Sequence, residues 1–238
     1  MIEIKKNLLY SLKIGANELT LKDKLLLTQF NNYLGTAVWG MCRSIGHTIV
    51  VDLTLTEDEL LFNCKSNTRN EIRRAIRENF FFEKEESIED FIKFYNDFAS
   101  EKGIPQISEK DITCYGNHIV IYKSGKDGKT MTMHATIIDE DISTATLLYS
   151  ASIRLSDGVD RKDIGFSNRF LHYKEFILFK QNNLRQYDFN GISIDPNDKE
   201  RYAISQFKAS FGGNQKEVTW LYSWPFKIIN KIKKIITR

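Results

Sequence analysis

Three arginines form the first group of residues with a clear chemical use. Arg69, Arg73 and Arg77 recur at every fourth position of a segment predicted to be helical, so they line one face of that helix. Guanidinium groups bind phosphate with two parallel hydrogen bonds, which makes this column a candidate site for the phosphate of a donor or an acceptor. The alternative is an exposed helix face whose charge is partly balanced by Glu71 and Glu78.

His134 is the residue best suited to take a proton near neutral pH. Strand alternation over residues 130–138 places His134 on one face with threonines, and Met133 and Ala135 on the other. An imidazole on a central strand beside a cleft could accept the proton of an attacking ammonium. The alternative is a buried, hydrogen-bonded structural histidine. The four histidines are far apart in sequence, so we predict no metal site.

Asp188 is the candidate carboxylate. It ends a short predicted strand just before Gly191. It could orient an amine or a sugar hydroxyl, or it could only cap a turn.

Several common catalytic motifs are absent. The sequence contains no G-x-x-x-x-G-K-[ST], G-x-G-x-x-G or H-E-x-x-H. The segment from Gly191 to Asp195 lacks the second glycine of a nucleophile elbow. Phosphate-loop, Rossmann, zincin and serine-hydrolase chemistry therefore lose their main support.

Composition indicates a folded globular protein. The 238 residues are 42% hydrophobic and 27% charged, with only 3 Pro and 13 Gly, which excludes disordered and collagenous classes. The net charge of +3 is small for a dedicated duplex-binding domain. Cys42, Cys64 and Cys114 suggest neither a disulfide framework nor a zinc site. No signal peptide and no long apolar stretch is evident, so we expect a cytoplasmic protein.

The order of predicted elements indicates an α+β fold. A β-branched strand over 47–55 precedes a helix that starts at Thr56. A capping box at Thr68 and Glu71 predicts a helix from there to residue 79, and Ser87 begins another that ends at Gly103. The remaining predicted elements are strands at 118–122, 130–138, 143–155, 184–189 and 218–222, and helices at 170–180 and 200–211.

The predicted antiparallel meander alternating with helices gives a mixed, largely antiparallel sheet with helices packed on both faces. We expect three regions. Residues 1–46 are an N-terminal part of open role, 47–222 are the main domain, and 223–238 are a basic C-terminal segment.

The C-terminal segment is amphipathic. Isoleucines from Ile228 to Ile236 fall on one side of a helical wheel, while Lys227, Lys231, Lys234 and Arg238 fall on another. A helix of this kind can lie on an anionic membrane surface. The alternative is a terminal helix that docks its isoleucines on its own core or on a second subunit.

Four segments, taken in order, resemble the Fem family of peptidoglycan-bridge aminoacyltransferases and its relatives in the GNAT acyltransferase superfamily. Lys65 to Ala75 is similar to the family's R-x-x-I-R-K-A helix, and strands 130–155 lead to a helix around Tyr173. Tyr187-Asp-Phe-Asn-Gly191 is similar to Y-D-x-G-G, and Phe207-Lys-x-x-Phe-Gly-Gly213 is similar to F-K-x-x-F-G-G. Together these segments cover about residues 47–222.

The resemblance implies a GNAT-like sheet that is splayed in its middle, so that a thioester or ester donor lies against an exposed strand. It implies transfer of an acyl or aminoacyl group to an amine. Full-length members carry two such units, whereas this chain has room for one. The glycine of Arg161-Lys-Asp-Ile-Gly165 is one place late for the superfamily's pyrophosphate loop. The donor therefore stays open between acyl-CoA and aminoacyl-tRNA, and no bound cofactor is expected.

The resemblance also assigns roles to particular residues. Lys208 matches the lysine that stabilises the charge on the reacting carbonyl, and Phe207 beside it would exclude water. Without the resemblance, Lys208 is an ordinary solvated helix lysine. Tyr149 and Tyr187 are candidate donor or substrate contacts.

These observations lead to two hypotheses. The first is a cytoplasmic N-acyltransferase that acts on a small-molecule or glycan amine of a cell-envelope precursor, with tRNA entering only as a donor. Its amine attacks the donor directly, which fits the missing serine elbow and the scattered cysteines. The second is a non-catalytic module of GNAT shape that binds an anionic membrane or RNA.

Overall fold

The computed structural model describes residues 1–5, 9–153 and 160–236, with side chains described up to residue 232. The chain folds into two compact units. Met1–Thr48 and Lys216–Arg238 form what we call the terminal unit, and Ile49–Gln215 form the central unit. The N-terminal segment and the C-terminal helix, which the sequence separates widely, thus belong to the same unit.

The terminal unit is a small sheet with two helices. Its strands lie in the order β1-β2-β3-β10-β4, and its core contains Phe30, Tyr33 and Leu221. Its elements are β1 (Ile2–Lys5), β2 (Tyr10–Ile14), α1 (Leu21–Leu25), β3 (Leu27–Asn31), the first part of β4 (Met41–Asp52), most of β10 (Asn214–Ser223) and α8 (Trp224–Ile236).

The central unit holds the candidate chemistry. Its strands lie in the order β4-β9-β8-β7-β6-β5, and every described pair is antiparallel except β8 with β9. Its elements are the end of β4, α2 (Glu57–Asn63), α3 (Ser66–Arg77), β5 (Phe81–Lys84), α4 (Ile88–Lys102), α5 (Glu109–Thr113), β6 (Ile119–Lys126), β7 (Lys129–Asp139), β8 (Thr144–Ser152), α6 (Arg161–Gln181), β9 (Gln186–Asp188) and α7 (Lys199–Ala209).

Helices cover both faces of the central sheet, as the alternation along β7 predicted. Met133 and Ala135 pack against α4 in one cluster that includes Phe91. His134, between them in sequence, points to the opposite face and contacts Glu175 of α6. The predicted α+β class with a mixed, largely antiparallel sheet is confirmed.

The predicted capping box at Thr68 is wrong. Helix α3 begins two residues earlier, at Ser66, and Thr68 is a buried residue inside it. The Thr68 hydroxyl donates a 2.7 Å hydrogen bond to Ser210 Oγ, and the Lys65 N–H donates to the Ser210 carbonyl. The threonine is therefore used to join α3 to the end of α7 rather than to cap its own helix.

The predicted start of the helix at residue 170 is also wrong. Helix α6 begins at Arg161 with Asp160 as its N-cap, so the segment compared with a pyrophosphate loop is helical. Gly165 lies inside this helix, and a Cβ there would be 3.4 Å from Arg169 Nη1, an ordinary van der Waals contact. Arg169 Nη1 donates to the Gly165 carbonyl. The predicted strand end at residues 154–155 lies outside the described residues.

The Gly212-Gly213 stop of helix α7 is confirmed, and its first glycine has a packing reason. Gly212 has φ +80°, and a Cβ there would lie 2.4 Å from the Asn63 carbonyl oxygen. Gly103, which ends α4 as predicted, has φ +64° but has nothing within 4 Å of the same position. The two glycines share a left-handed backbone and differ in their surroundings.

We expect Gly212→Ala to destabilise the protein more than Gly103→Ala. Both changes place a side chain on a left-handed backbone, but only the first drives it into the α2 backbone. The difference in unfolding free energy should be about 1–3 kcal/mol, measured by urea denaturation. Equal losses in the two variants would show that the contact with Asn63 is not restrictive.

Candidate active site

An opening in the central sheet lies where β8 leaves β9. The parallel pairing of these strands covers only three residue pairs, from Thr144 with Gln186 to Thr146 with Asp188. Beyond Thr146, β8 continues to Ser152 along β7 and pairs with no further strand among the described residues. The extra residue Leu148 makes a β-bulge against β7. Among the described residues, β8 beyond Thr146 therefore has a strand partner on its β7 side alone.

The turn after β9 borders this opening. Asn190 has φ +61° and occupies the first glycine position of the Y-D-x-G-G pattern, where a left-handed backbone is needed. Its N–H donates to Asp188 Oδ1 at 2.7 Å, and its side-chain amide donates to the Leu147 carbonyl at 3.2 Å. The turn is therefore held from both strands.

Lys208 is bound to this turn by its ammonium group. Its Nζ donates to the carbonyl oxygens of Gly191 at 2.8 Å and Asn190 at 3.2 Å. Burial lowers the pKa of Lys208 to about 8, and the negative charge of Asp188 opposes that shift. Asp188 therefore caps the turn, as one interpretation of its position held, and also acts electrostatically on Lys208.

The aromatic ring of Phe207 directly precedes Lys208 in α7. Phe207 is half-buried, with the Arg169 guanidinium 5.0 Å from its ring centre and the His172 ring 5.9 Å away. Arg169 also makes a 3.0 Å ion pair with Glu71. Burial lowers the pKa of Arg169, with the charge of Glu71 acting in the opposite direction. A cation and an apolar ring thus lie together beside the lysine.

Four buried side chains are joined by hydrogen bonds, and one of them, His172, packs against Phe207. We call this group the buried network: His134, His172, Glu175 and Tyr187. Their exposed fractions are 0%, 1%, 0% and 0%. The Tyr187 hydroxyl donates to Glu175 Oε2 at 2.9 Å, and His134 Nδ1 lies 2.9 Å from the same oxygen. His172 Nδ1 lies 3.1 Å from the Tyr187 oxygen. The fold thus gathers two histidines that are far apart in sequence.

The donor atoms of His134, His172 and Glu175 all lie within 4.8 Å of one another, a spacing that a metal ion could in principle bridge. The two imidazole rings are in contact, with centroids 4.1 Å apart, and the Tyr187 hydroxyl bonds to both His172 and Glu175. The protons and lone pairs that face each other are therefore already used within the network. We treat it as a hydrogen-bond network.

His134 was predicted as the general base, and the structure places it deeper than that role suggests. It is fully buried, and its Nε2 has no hydrogen-bond partner among the described residues. Tyr187, predicted as a substrate contact, is also fully buried. Neither side chain reaches the opening directly in this conformation.

Two other predicted groups have no described contact with Lys208. Tyr149 packs on the α4 face of β8, with its ring 5.1 Å from that of Tyr95, and burial raises its pKa to about 12. In the arginine column, Arg69 donates a 2.7 Å hydrogen bond to the Phe62 carbonyl and lies over the Phe62 ring, while Arg73 and Arg77 are exposed. Only the last two present free-standing guanidinium groups on the α3 surface.

No sequence motif marks Glu175, His172 or Arg169 as site residues. One signal was present: His172 and Glu175 stand three residues apart in an apolar helix, where a carboxylate on a buried face requires partners. No local signal pointed to the partners, because Tyr187 and His134 come from two different strands.

Solved structures support the fold. The chain aligns with FemX at 14% identity, covering 78% of this chain and 63% of that one, with a TM-score of 0.64. It aligns with the C-terminal domain of an assigned lysylphosphatidylglycerol synthetase from Agrobacterium fabrum at 12% identity, with coverages of 90% and 78% and a TM-score of 0.62. L-PGS from Bacillus licheniformis matches at 10% identity, with coverages of 93% and 81% and a TM-score of 0.57.

No protein-family model and no curated protein matches the sequence. The three solved structures confirm the fold that the resemblance to the Fem family implied. The chain spans 63% of the length of the FemX chain.

We expect Asp188→Asn to lower the pKa of Lys208 below its value of about 8, because the variant removes the charge that holds it up. Asparagine keeps an oxygen for the Asn190 N–H, so the turn is retained. NMR titration of the lysine Cε and Nζ signals would measure the shift, with other lysines as internal references. An unchanged or higher pKa would contradict the electrostatic role of Asp188.

Proposed function

We propose that the central unit transfers an acyl or aminoacyl group directly to an amine of a cell-envelope or glycan precursor. The fold it shares with FemX, the synthetase domain and L-PGS supports this class of reaction. One of these proteins carries in its name a lysyl group joined to a phospholipid, which favours aminoacyl transfer. The observation that carries the proposal is the Lys208 ammonium group, with its two hydrogen bonds to the turn and its lowered pKa.

Lys208 has one N–H to offer to a substrate. An ammonium group has three N–H donors, and the carbonyls of Asn190 and Gly191 take two of them. With a pKa of about 8, the group is mostly protonated at pH 7. The third donor can stabilise an oxyanion in a site that half-buried Phe207 shields from water.

The reaction that follows needs no enzyme-bound intermediate. The amine nitrogen attacks the donor carbonyl carbon, and the carbonyl oxygen becomes an oxyanion beside Lys208. The amine loses a proton, the tetrahedral intermediate collapses, and the leaving thiolate or ribose oxygen takes up a proton. His134 was predicted to accept the amine proton, but its side chain is fully buried and does not reach the opening directly.

The donor is either an acyl-CoA or an aminoacyl-tRNA, and both carry phosphate. Arg73 and Arg77 on the exposed face of α3 are the guanidinium groups we propose for phosphate. A thermal-shift screen of CoA thioesters, aminoacyl-tRNA and nucleotide amino sugars would separate the two donors. Stabilisation by none of these ligands would favour the non-catalytic module.

The terminal unit fits a second role, binding to an anionic membrane surface from the cytoplasmic side. By sequence it carries twelve lysines and arginines against four acids, while the whole chain has a net charge of +3. It also holds eleven of the sixteen large apolar side chains that are exposed among the described residues. Charge attracts such a surface to anionic lipid, and apolar side chains hold it there.

Helix α8 is the centre of this proposed surface. Trp224, Ile228 and Ile232 are 59%, 55% and 50% exposed. They recur every fourth residue and so share one side of the helix, with Lys227 and Lys231 on another side. No helix of the described residues is long and apolar enough to cross a membrane. The side chains of Ile235, Ile236, Lys234 and Arg238, which the sequence adds to this pattern, lie outside the described residues.

We expect Lys208→Ala to lower kcat for transfer about 100- to 1000-fold, because one oxyanion donor is lost. Lys199→Ala, which removes an exposed lysine from the same helix, is the matched control and should leave kcat unchanged. Transfer would be assayed with the donor class found in the thermal-shift screen. Activity of the Lys208 variant within a few-fold of wild type would remove this lysine from the mechanism.

Lys208→Arg extends this experiment to pH. Wild-type transfer should decline as pH rises through about 8, because Lys208 then loses the proton that stabilises the oxyanion. Arginine stays protonated, so whatever activity the variant retains should lack this alkaline decline. The same decline in both proteins would assign it to another group.

We expect the intact protein to float with vesicles that contain anionic phospholipid and to be released by high salt. The double variant Ile228→Ser/Ile232→Ser should bind less, because two exposed apolar anchors are removed. Ile204→Ser, a change at a 50% exposed isoleucine of the central unit, is the control. Equal binding to neutral vesicles, or full binding by the double variant, would contradict the membrane role.

A further inference from the structure

The buried network contains a carboxylate with an unusual set of partners. Glu175 is 0% exposed, and its described hydrogen bonds come from His134, Tyr187 and Thr136. None of the described bonds or ion pairs at Glu175 involves a lysine or an arginine. A carboxylate in such a place depends on hydrogen bonds from its neighbours, because a buried polar group without partners is costly.

The hydrogen bonds of the network have a defined direction. The Tyr187 hydroxyl has a single proton, which it donates to Glu175 Oε2. The bond between the Tyr187 oxygen and His172 Nδ1 must then be donated by an Nδ1–H. A neutral imidazole with a proton on Nδ1 has a free lone pair on Nε2. His172 is therefore set up to accept a proton at one nitrogen and release another from the opposite side.

His172 is the member of the network with a described ring contact to the proposed site. Its ring packs against Phe207, which directly precedes Lys208 in α7. Burial lowers the pKa of His172 well below its usual value, and the charges of His134, Lys208 and Arg169 act in the same direction. The imidazole is thus kept neutral, which suits a group that passes a proton on rather than storing it.

We propose that His172, Tyr187 and Glu175 form a proton relay that carries the proton of the attacking amine away from the site, with His134 as a positioning residue. The inference rests on the proposed transfer to an amine. The relay requires that the acceptor amine displaces the Phe207 ring to reach His172. In this relay His172, and not the predicted base His134, accepts the amine proton, and a proton ends on Glu175. His134 holds the Glu175 carboxylate through a 2.9 Å hydrogen bond.

The proton count of the relay balances. The amine gives a proton to His172 Nε2, the Nδ1 proton moves to the Tyr187 oxygen, and the Tyr187 proton moves to Glu175 Oε2. The products are a neutral amine, His172 protonated on Nε2, an unchanged tyrosine and a neutral carboxylic acid. When the leaving group departs as a thiolate or an alkoxide, the same steps in reverse return the proton to it. No oxidant, reductant or further reactant is needed.

The test combines a spectroscopic signature with kinetics. In the resting wild-type protein, imidazole ¹⁵N shifts should show His172 as the Nδ1–H tautomer. Tyr187→Phe keeps the ring but breaks both hydrogen bonds, so this tautomer should be lost and kcat should fall about 100-fold or more with little change in KM. Tyr173→Phe, which removes a hydroxyl that bonds the Glu57 carbonyl outside the network, is the matched control and should change neither.

Failure of the relay is distinguishable from failure of the transferase proposal. If Lys208→Ala loses activity while Tyr187→Phe keeps kcat within three-fold of wild type, the relay is overturned and the transferase stands. An Nε2–H tautomer of His172 in the wild type also overturns the relay, whatever the activity. Stoichiometric zinc in the purified protein, lost in Glu175→Gln, would make the network a metal centre and overturn the relay as well.

Discussion

The short parallel contact between β8 and β9 is the constraint on which the site depends. Three residue pairs join the strands, after which β9 ends at Asp188 and β8 continues alone on that side among the described residues. A longer β9 would cover the edge of β8 and leave no place for the turn that holds Lys208. Asn190 makes the early ending possible, because it takes the left-handed backbone and ties the turn to Leu147 of the neighbouring strand.

The surroundings of this opening divide its charged groups into two layers. Lys208, Asp188 and Arg169 lie at the border, where burial lowers the pKa of Lys208 and of Arg169. Glu175 and the two histidines lie behind phenylalanines such as Phe207 and Phe211, out of solvent. The aromatic layer keeps the two sets apart, which strengthens electrostatic interactions on its inner side.

Sequence patterns predicted most of the elements, since apolar alternation and caps such as Ser87 and Gly103 act locally. They failed where a residue is used over a long distance. Thr68 looked like a cap but bonds Ser210, and Gly165 looked like a loop residue but lies inside helix α6. In the site, Lys208 and Asp188 could be named from motif resemblance. The bonds of Glu175 could not, because its partners come from separate strands that only the folded sheet brings together.

The terminal unit is built from two segments that are far apart in sequence, which has a consequence for the order of folding. Strand β3 ends at Asn31, but its partner β10 begins only at Asn214, so their pairing closes a loop that contains the whole central unit. During synthesis, residues 49–215 are available as a complete set before the part of β10 that pairs with β3 exists. The central unit can therefore form first, while β1, β2 and β3 wait with an unpaired edge until the last strand emerges. Contacts of this sequence separation are slow to form, so the terminal unit is where assembly of the chain finishes.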